Sequence, residues 1–273
     1  MARRLFVPCL VVSLLAAAFA CDPDLTPVRT GGDASPDGAV TPNPNPTPSD
    51  SGTGGTDGSS PEQDASVEED GSTGSSHKID GIDDFKPNEK FVTSSAGYEG
   101  FIAWDDKRLY FGMSGGDIGS GAGNKWVFVY LGIDGTAGTT TGIKYGMTPG
   151  QQPTLPFAAA FHLRWKASND FTTVEKWNGT AWESAGVANV PIVAAKQGTF
   201  MEMSVTRAAI GATGKLKVHM NMIVEDPQPP DQNWTFAAVP STSLVDGPDR
   251  DYTKYFEFDL TDTTTPPNGY QPK

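Results

Sequence analysis

Apolar residues recur at every second position through most of the second half of this chain, and this period constrains the fold more than any other feature. In residues 157–166, for example, Phe161, Leu163 and Trp165 alternate with His162 and Arg164. A period of two places alternate side chains on opposite faces of a β-strand. We predict strands at residues 98–105, 107–114, 126–133, 158–167, 171–177, 181–184, 199–206, 215–225, 234–239 and 252–260. Residues 207–210 are the one predicted helical turn.

Short strands separated by polar turns, without a long helix, are typical of an antiparallel β-sandwich or jelly roll. We therefore predict one all-β domain over residues 77–260. Residues 261–273 are rich in Thr and Pro, and we predict a flexible tail there.

The segment before this domain has the composition of a disordered tether. Residues 22–76 contain no aromatic residue and no Lys, but eight Pro and nine Gly. Eleven acidic residues against the single Arg29 give this segment a net charge of −10, out of −13 for the whole chain. Such a segment cannot bury enough apolar surface to offset its ordering entropy. We predict that residues 21–76 form an acidic spacer.

Residues 1–20 are predicted to be a secretory signal peptide. Arg3 and Arg4 precede an apolar run over residues 5–19, which is shorter than the roughly 20 residues of a membrane-spanning helix. The small residues Ala18 and Ala20 then mark a cleavage site directly before Cys21. The chain is therefore expected to be exported.

Cys21 is the predicted site of lipid attachment. Ala20-Cys21 resembles the end of a bacterial lipobox, although Phe19 departs from that pattern. Cleavage by an ordinary signal peptidase is the alternative, and it leaves Cys21 as a free thiol, since Cys9 lies in the signal peptide. We expect a lipid-anchored envelope protein, at the outer membrane or cell surface, with the inner membrane as the alternative. The anchor is its only predicted membrane contact, and no nucleic-acid partner is expected.

Four segments resemble a known family. They are residues 79–81 (Ile-Asp-Gly), residues 100–113 with Trp104-Asp105 before a tight turn, residues 200–211, and residues 255–260. Together they are similar to the family 9 carbohydrate-binding-like domains of the DOMON-like β-sandwich group. The resemblance implies a β-sandwich and a glycan ligand. The same group also includes haem binders and domains without a known ligand.

Trp177, Trp182 and Glu175 are the candidate carbohydrate-binding residues. Asn178-Gly179 predicts a type I′ hairpin, in which Trp177 lies opposite Thr180 and Glu175 opposite Trp182. Both indoles then share one face as diagonal neighbours. Sugar C–H groups can stack on such rings while a carboxylate binds hydroxyls. The alternative is that both rings pack against the core or only stabilise the hairpin.

The other aromatic residues are predicted to be structural. Core positions are expected for Trp104, Trp165 and Trp234. Trp126, Phe128 and Tyr130 form a stripe along one strand face, and such a stripe is typical of the core between two sheets. A platform on the concave face of the sandwich is the alternative.

Two strands have a polar face that predicts either a basic strip or ordinary solvated surface. The residues are His162, Arg164 and Lys166 on one strand and Lys215, Lys217, His219 and Asn221 on the other. If the strands are close, the strip would suit an acidic polysaccharide or a phosphate-bearing glycan. A haem or redox module is a rival hypothesis, with His162 or His219 as one axial ligand. The second ligand would be one of Met113, Met201, Met203, Met220 and Met222.

Calcium is a further candidate ligand, because aspartates cluster at predicted strand ends. These are Asp80, Asp83, Asp84, Asp105, Asp106 and Asp117. Hard oxygen ligands on loops suit Ca²⁺, but the spacing is not that of an EF-hand, and Asp is also common in turns for conformational reasons.

Several enzyme signatures are absent from the sequence. It contains no Gly-x-Ser-x-Gly, no His-Glu-x-x-His, no phosphate-binding loop and no zinc spacing. We therefore predict a non-catalytic protein that binds a glycan or polysaccharide. A structural or protein-interaction lipoprotein without a small ligand is the alternative.

Overall fold

The structure is a computed structural model, and it describes residues 77–146, 151–186, 188–225, 235–247 and 251–273. The predicted signal peptide, the lipid site at Cys21, the tether and Trp234 lie outside these ranges. Within them, none of the helices combines the length and the apolar character needed to cross a membrane.

The described residues form fourteen strands and a few short helical segments. The strands are β1 Lys90–Val92, β2 Glu99–Trp104, β3 Arg108–Ser114, β4 Lys125–Ile133, β5 Thr139–Thr141, β6 Thr154–Ala159, β7 Phe161–Lys166, β8 Thr172–Trp177, β9 Trp182–Ser184, β10 Ile192–Gln197, β11 Phe200–Thr206, β12 Lys215–Val224, β13 Thr235–Val239 and β14 Phe256–Asp259. The helices are α1 Gly116–Ser120 and α2 Arg207–Ile210, with 3₁₀ turns at Pro87–Glu89 and Pro267–Gly269.

The strands form two antiparallel sheets, which confirms the predicted all-β sandwich. Sheet A has the order β1-β2-β3-β11-β10. Sheet B has the order β13-β12-β4-β7-β8-β9, and β14 pairs with β12 beside β13. Strands β5 and β6 form a separate small pair.

The main hydrophobic core lies between the two sheets. Alternate residues of β3 (Phe111) and of β4 (Val129 and Leu131) meet there, as the period-two pattern requires. Trp165 is 1% exposed in this core, which confirms its prediction. Trp104 is half-buried and packs at the edge of the same core.

Each sheet is also covered on its outer face, where the structure corrects the aromatic stripe. Trp126, Phe128 and Tyr130 are buried, but they point away from the inter-sheet core. They pack instead with residues that cover this face: Tyr145, Leu155, Phe157, Leu244 and Tyr252. The prediction of inter-sheet core is therefore wrong, and the stripe does not form an exposed platform either, because it is buried in a second core on the outer face of sheet B. On sheet A, a smaller cluster around Phe85 and Phe101 covers the outer face.

The strand predicted at residues 158–167 is divided in two. The chain bends at Ala160, so residues up to Ala159 pair with β5 while Phe161 begins the pairing with β4. The alternation of apolar residues continues through this bend, which is why the sequence reads as one strand. Strands β1, β5 and β10 are not among the sequence predictions, and of β6 only residues 158–159 are.

The tail predicted to be flexible is instead attached to the domain. Tyr255 and Lys273 exchange two backbone hydrogen bonds of 3.2 and 2.9 Å. The Tyr270 ring lies 5.3 Å from that of Phe258 and 6.2 Å from that of Trp104. Apolar packing and strand-like pairing therefore hold this segment against the edge of the sandwich.

A substitution at Gly100 tests how tightly the two sheets pack. A Cβ atom at this position would lie 2.5 Å from Val239 Cγ2 and 2.9 Å from Met220 Cε. We expect Gly100→Ala to lower the free energy of unfolding by about 1–3 kcal/mol through overpacking, as measured by urea denaturation. Gly116→Ala is the matched control, since a Cβ there meets no atom within 4 Å. Equal stabilities of the two variants would contradict the packing described.

Candidate functional site

The hairpin between β8 and β9 turns one residue later than predicted. A type I′ turn over Asn178-Gly179 needs positive φ at both residues, but of the two only Gly179 has it, at +100°. The Asn178 backbone N–H donates to the Ala181 carbonyl at 3.1 Å. Gly179 and Thr180 are therefore the central residues, with Gly first, as a type II′ turn requires. The hairpin itself is confirmed and its turn type is corrected.

This shift brings Trp177 directly opposite Trp182. Moving the turn centre by one residue leaves every side chain on its predicted face, so the shared face is confirmed while the diagonal arrangement is wrong. The two ring centroids are 5.8 Å apart and the ring planes meet at 66°. Both side chains are half-buried, and Trp182 Nε1 donates to the Thr141 carbonyl at 3.0 Å.

Glu175 lies opposite Ser184 rather than Trp182, and it is 6% exposed. One carboxylate oxygen accepts from His162 Nδ1 at 3.1 Å, and the other pairs with the Arg164 guanidinium. Burial opposes the charge of Glu175, but the bond from His162 and the charge of Arg164 hold its pKa below the ordinary value. Glu175 is thus engaged by neighbouring side chains, and it positions His162 and Arg164.

Glu175 ends a row of polar side chains that crosses four strands. His219 of β12 lies opposite Tyr130, Tyr130 opposite His162, and His162 opposite Glu175. All four are buried on the outer face of sheet B. The Trp182 ring lies 6.2 Å from that of His162 and 6.3 Å from that of Tyr130. The tryptophan pair and this polar row are therefore one continuous surface.

A second row runs beside the first. Asn221 lies opposite Phe128, and Phe128 lies opposite Arg164. Asn221 is fully buried, and its Nδ2 donates to the Met222 carbonyl at 3.1 Å. We call the seven residues of the two rows the polar face: His219, Tyr130, His162, Glu175, Asn221, Phe128 and Arg164.

The hydrogen bonds of Ser243 fix the tautomer of His219. The Ser243 hydroxyl donates its single hydrogen to the Lys254 carbonyl at 3.0 Å. His219 Nε2, 2.9 Å from Ser243 Oγ, must then be the donor in that contact. Nδ1 is therefore an acceptor without a hydrogen. Burial lowers the pKa of His219 to about 3, so the ring is neutral.

His162 is also neutral, but in the other tautomer. Burial lowers its pKa, and its Nδ1–H donates to the Glu175 carboxylate. Its Nε2 is therefore also an acceptor. Tyr130 stacks on this ring at 4.3 Å with an interplanar angle of 24°.

The predicted basic strip is not formed. The two strands do lie close together, one on each side of β4. However, His162 and His219 are buried and neutral, and Arg164 is paired with Glu175. Lys215 lies 3.5 Å from a carboxylate oxygen of Glu257. Burial under the covering segments therefore leaves both histidines of the predicted strip uncharged, and Arg164, Lys166 and Lys215 are each paired with a carboxylate.

The structure also separates the residues of the haem hypothesis. His162 and His219 belong to the outer face of sheet B. The methionines proposed as second ligands all lie in the core between the sheets: Met113, Met201, Met203, Met220 and Met222. Adjacent residues of β12 point to opposite faces, so His219 and Met220 cannot both coordinate the iron of one haem.

Five of the six aspartates proposed as calcium ligands are engaged in separate local contacts: Asp80, Asp83, Asp84, Asp105 and Asp117. Asp83 pairs with Lys90 Nζ at 2.5 Å, and Asp84 accepts from His77 Nδ1 at 3.0 Å. These contacts stabilise the segment that covers the outer face of sheet A.

Asp105 and Asp117 stabilise local structure in the same way. Asp105 Oδ1 accepts the backbone N–H groups of Lys107 and Arg108 at 2.7 and 2.6 Å, which closes the turn between β2 and β3. Asp117 lies 2.6 Å from Lys125 Nζ. Across the described ranges, no three Asp, Glu, His or Cys residues form a group that would hold a metal ion. The calcium prediction therefore gains no support from the structure.

Comparison with known proteins identifies no relative: no family model, no curated protein and no solved structure matches this chain.

Three residues of the surface were missed by the sequence analysis. Tyr145, Ser243 and Tyr252 cover the polar face, and Tyr252 stacks on His219 at 4.1 Å. They lie in segments between strands, where neither a motif nor a periodic pattern predicts their contacts. Arg164 also lies over the Tyr145 ring, 5.2 Å from its centroid.

The depressed pKa of His219 makes a prediction about acid stability. The unfolded chain binds a proton here near pH 6.5 and the folded protein only near pH 3, so stability falls as the pH falls between these values. His219→Gln should remove this dependence, which is about 1.4 kcal/mol per pH unit. The measurement is the free energy of unfolding of variant and parent from about pH 7 down to about pH 4.

His77→Gln is the control with the opposite sign. Burial opposes the charge of His77, but the carboxylates of Glu89 and Asp84 raise its pKa. Its contribution to stability is full at acid pH and is lost as the pH rises through the folded pKa. Removing His77 should therefore leave the slope below about pH 6.5 unchanged and alter stability only above it, whereas removing His219 should flatten the acid loss. An unchanged slope in His219→Gln would refute the neutral buried imidazole.

Proposed function

We propose that this protein is a non-catalytic, carbohydrate-binding lipoprotein of the cell envelope, with Trp177 and Trp182 as its stacking residues. The observation that carries the proposal is the geometry of the pair: two half-exposed indoles, directly opposed, with rings 5.8 Å apart at 66°. A β-sandwich hosts many functions, so the argument depends on this site and not on the fold.

The pair is held in place before any ligand arrives. Trp182 is fixed by its bond to the Thr141 carbonyl and by edge contacts with Tyr130 and His162. A ring that is already oriented loses little conformational entropy on binding. The C–H groups of a sugar pack on such an indole face, which supplies affinity without charge.

Polar partners for the hydroxyls surround the pair. Thr141 is exposed next to Trp182, and Ser184 is exposed on the same face of β9. These two residues take the role first given to Glu175, whose carboxylate is already engaged. Apolar stacking rings with a few polar groups at the rim are typical of small-ligand sites.

The sequence supports an envelope location for this site. In the proposal, Cys21 carries the lipid and the acidic segment 22–76 spaces the domain from the membrane. A flexible chain of 55 residues has a root-mean-square span of roughly 40 Å. The domain would then sample polysaccharide at that distance from its anchor.

A glycan-array measurement on the purified full chain tests this proposal. We expect binding to at least one glycan, and a loss of about tenfold or more in affinity for Trp177→Ala/Trp182→Ala, equivalent to about 1.4 kcal/mol. Phe171→Ala is the matched control, because Phe171 is a 47% exposed aromatic residue at the opposite end of β8.

Circular dichroism and thermal unfolding establish that each variant is folded. A folded parent protein that binds no glycan would refute the carbohydrate proposal and favour the structural or protein-interaction alternative. Equal losses in the double variant and in Phe171→Ala would show that the tryptophan pair is not the site.

A further inference from the structure

A cleft of about 630 Å³ lies beside the attached C-terminal tail. Its walls come from three parts of the chain: the 3₁₀ turn before β1, the turn between β2 and β3 together with the start of α2, and residues 260–267. This volume is within the range of about 300–1,000 Å³ that is typical of small-ligand sites. None of the residues that line the cleft belongs to the polar face or to the tryptophan pair. The cleft is therefore a separate candidate site.

Trp104 supplies an aromatic wall of the cleft. Its ring is held in place by two neighbours, with centroids 5.1 Å from that of Phe258 and 6.2 Å from that of Tyr270. Trp104 Nε1 has no hydrogen-bond partner among the described residues, and it is not one of the fully enclosed polar atoms. A ring that is already packed loses little conformational entropy when a ligand binds. The cleft thus offers an oriented apolar surface and one N–H donor.

Arg207 supplies a positioned guanidinium group in the same cleft. Its Nε donates to the Ala212 carbonyl at 3.0 Å, and its Nη1 donates to the Asp105 carbonyl at 2.7 Å. These bonds to neutral carbonyls fix the group, and no carboxylate of the described residues forms an ion pair with it. Arg207 Nη2 has no partner within the described ranges and is not enclosed. It is therefore available to donate to a ligand.

Four carboxylates also line the cleft, and three of them are already engaged. Glu89 lies 3.3 Å from His77 Nε2. Asp105 and Asp262 accept backbone N–H groups of their own turns. Asp106 is exposed and has no partner among the described residues. Asp106 is therefore the acceptor that remains available to a ligand.

These groups fit an uncharged sugar unit better than an acidic one. A sugar hydroxyl can both donate and accept, so it matches N–H donors and a carboxylate in one cleft. The C–H groups of the sugar ring can pack on an indole. Even with Glu89 discounted because of its contact with His77, three carboxylates against one guanidinium leave an excess of negative charge. Such a charge opposes the binding of an acidic ligand.

We propose that this cleft is a second carbohydrate-binding site, in which a sugar unit without acidic groups packs on Trp104 and bonds to Arg207 and Asp106. The inference goes beyond the proposed function by adding a site, and it rests on that function only for the class of ligand. Each protein molecule then binds two sugar units independently. Two sites on one molecule raise the overall affinity for a polysaccharide when both can bind the same chain.

Asp106→Ala in the Trp177→Ala/Trp182→Ala background gives the sharpest test, because the binding that remains without the tryptophan pair reports on the cleft. The substitution should leave the thermal midpoint unchanged, since Asp106 is exposed and unpaired within the described ranges. The remaining affinity should fall roughly tenfold or more, the equivalent of one lost hydrogen bond to a charged group. Asp134→Ala is the matched control. Asp134 is also exposed and without a partner among the described residues, but it follows β4 and lies outside the cleft.

The assay is titration calorimetry of the full chain with neutral oligosaccharides and with uronic-acid oligosaccharides of the same length. For neutral oligosaccharides we expect two sites in the parent, one in the double tryptophan variant, and weakened binding once Asp106→Ala is added. In proton NMR spectra of the double variant, the indole N–H signal of Trp104 should shift when the neutral oligosaccharide is added. Its loss in Trp104→Phe assigns that signal.

Three results would overturn the inference. The double tryptophan variant binds no neutral oligosaccharide, or Asp106→Ala and Asp134→Ala lower its affinity equally, or uronic-acid oligosaccharides bind more tightly than neutral ones.

The failure of this inference can be distinguished from that of the proposed function. If the parent binds and the double tryptophan variant does not, the first site stands and the second falls. If the double variant binds as the parent does and Asp106→Ala removes that binding, the cleft is the site and the tryptophan pair is not. A parent protein that binds no glycan refutes both.

Discussion

The burial of strand β4 on both sides determines the organisation of the domain. Its alternate residues supply two separate cores, with Val129 and Leu131 between the sheets and Phe128 and Tyr130 on the outer face. A strand of this kind must be central, and it lies between β12 and β7. Those two neighbours then bring His219 and His162 to either side of Tyr130. The polar row therefore follows from the position of one apolar strand.

Burial also determines the chemistry of that row. In water, two histidines and an arginine on neighbouring strands would form a cationic patch. Under the covering segments, the free-energy cost of desolvating an imidazolium exceeds the stabilisation that neighbouring groups provide. Both rings therefore stay neutral. The one arginine is retained as an ion because Glu175 is close enough to pair with it. The same side chains would attract an anionic ligand if they were exposed, but they do not form a cationic patch when the covering segments bury them.

Much of the fold could be predicted from the sequence, because period-two alternation is a local property of each strand. It located most strands of both sheets, although not β1 and β10 of sheet A, and the side-chain faces of Trp177 and Trp182. The turn type could not be found, since Asn178-Gly179 is compatible with two registers and only the backbone angles distinguish them. The alternation also could not show which face of β4 meets the other sheet, because both faces are apolar.

The parts of the site that were missed depend on contacts distant in sequence. Glu175 seemed available to a ligand because its partners lie 13 and 11 residues earlier in the chain, on another strand. Ser243 and Tyr252 reach His219 from a segment without regular strand pairing. Short-range sequence patterns carry no information about contacts between residues that are distant in sequence.

The described domain begins at His77, whose ring stacks on Phe85 and contacts Tyr110 on the outer face of sheet A. The tryptophan pair belongs to the outer face of sheet B. The thickness of a whole sandwich, with sheets about 10 Å apart, therefore separates the point of chain entry from the indoles. Attachment directly at His77 would leave the indole side facing the solution, whereas attachment through the flexible spacer predicted over residues 21–76 would impose no such orientation.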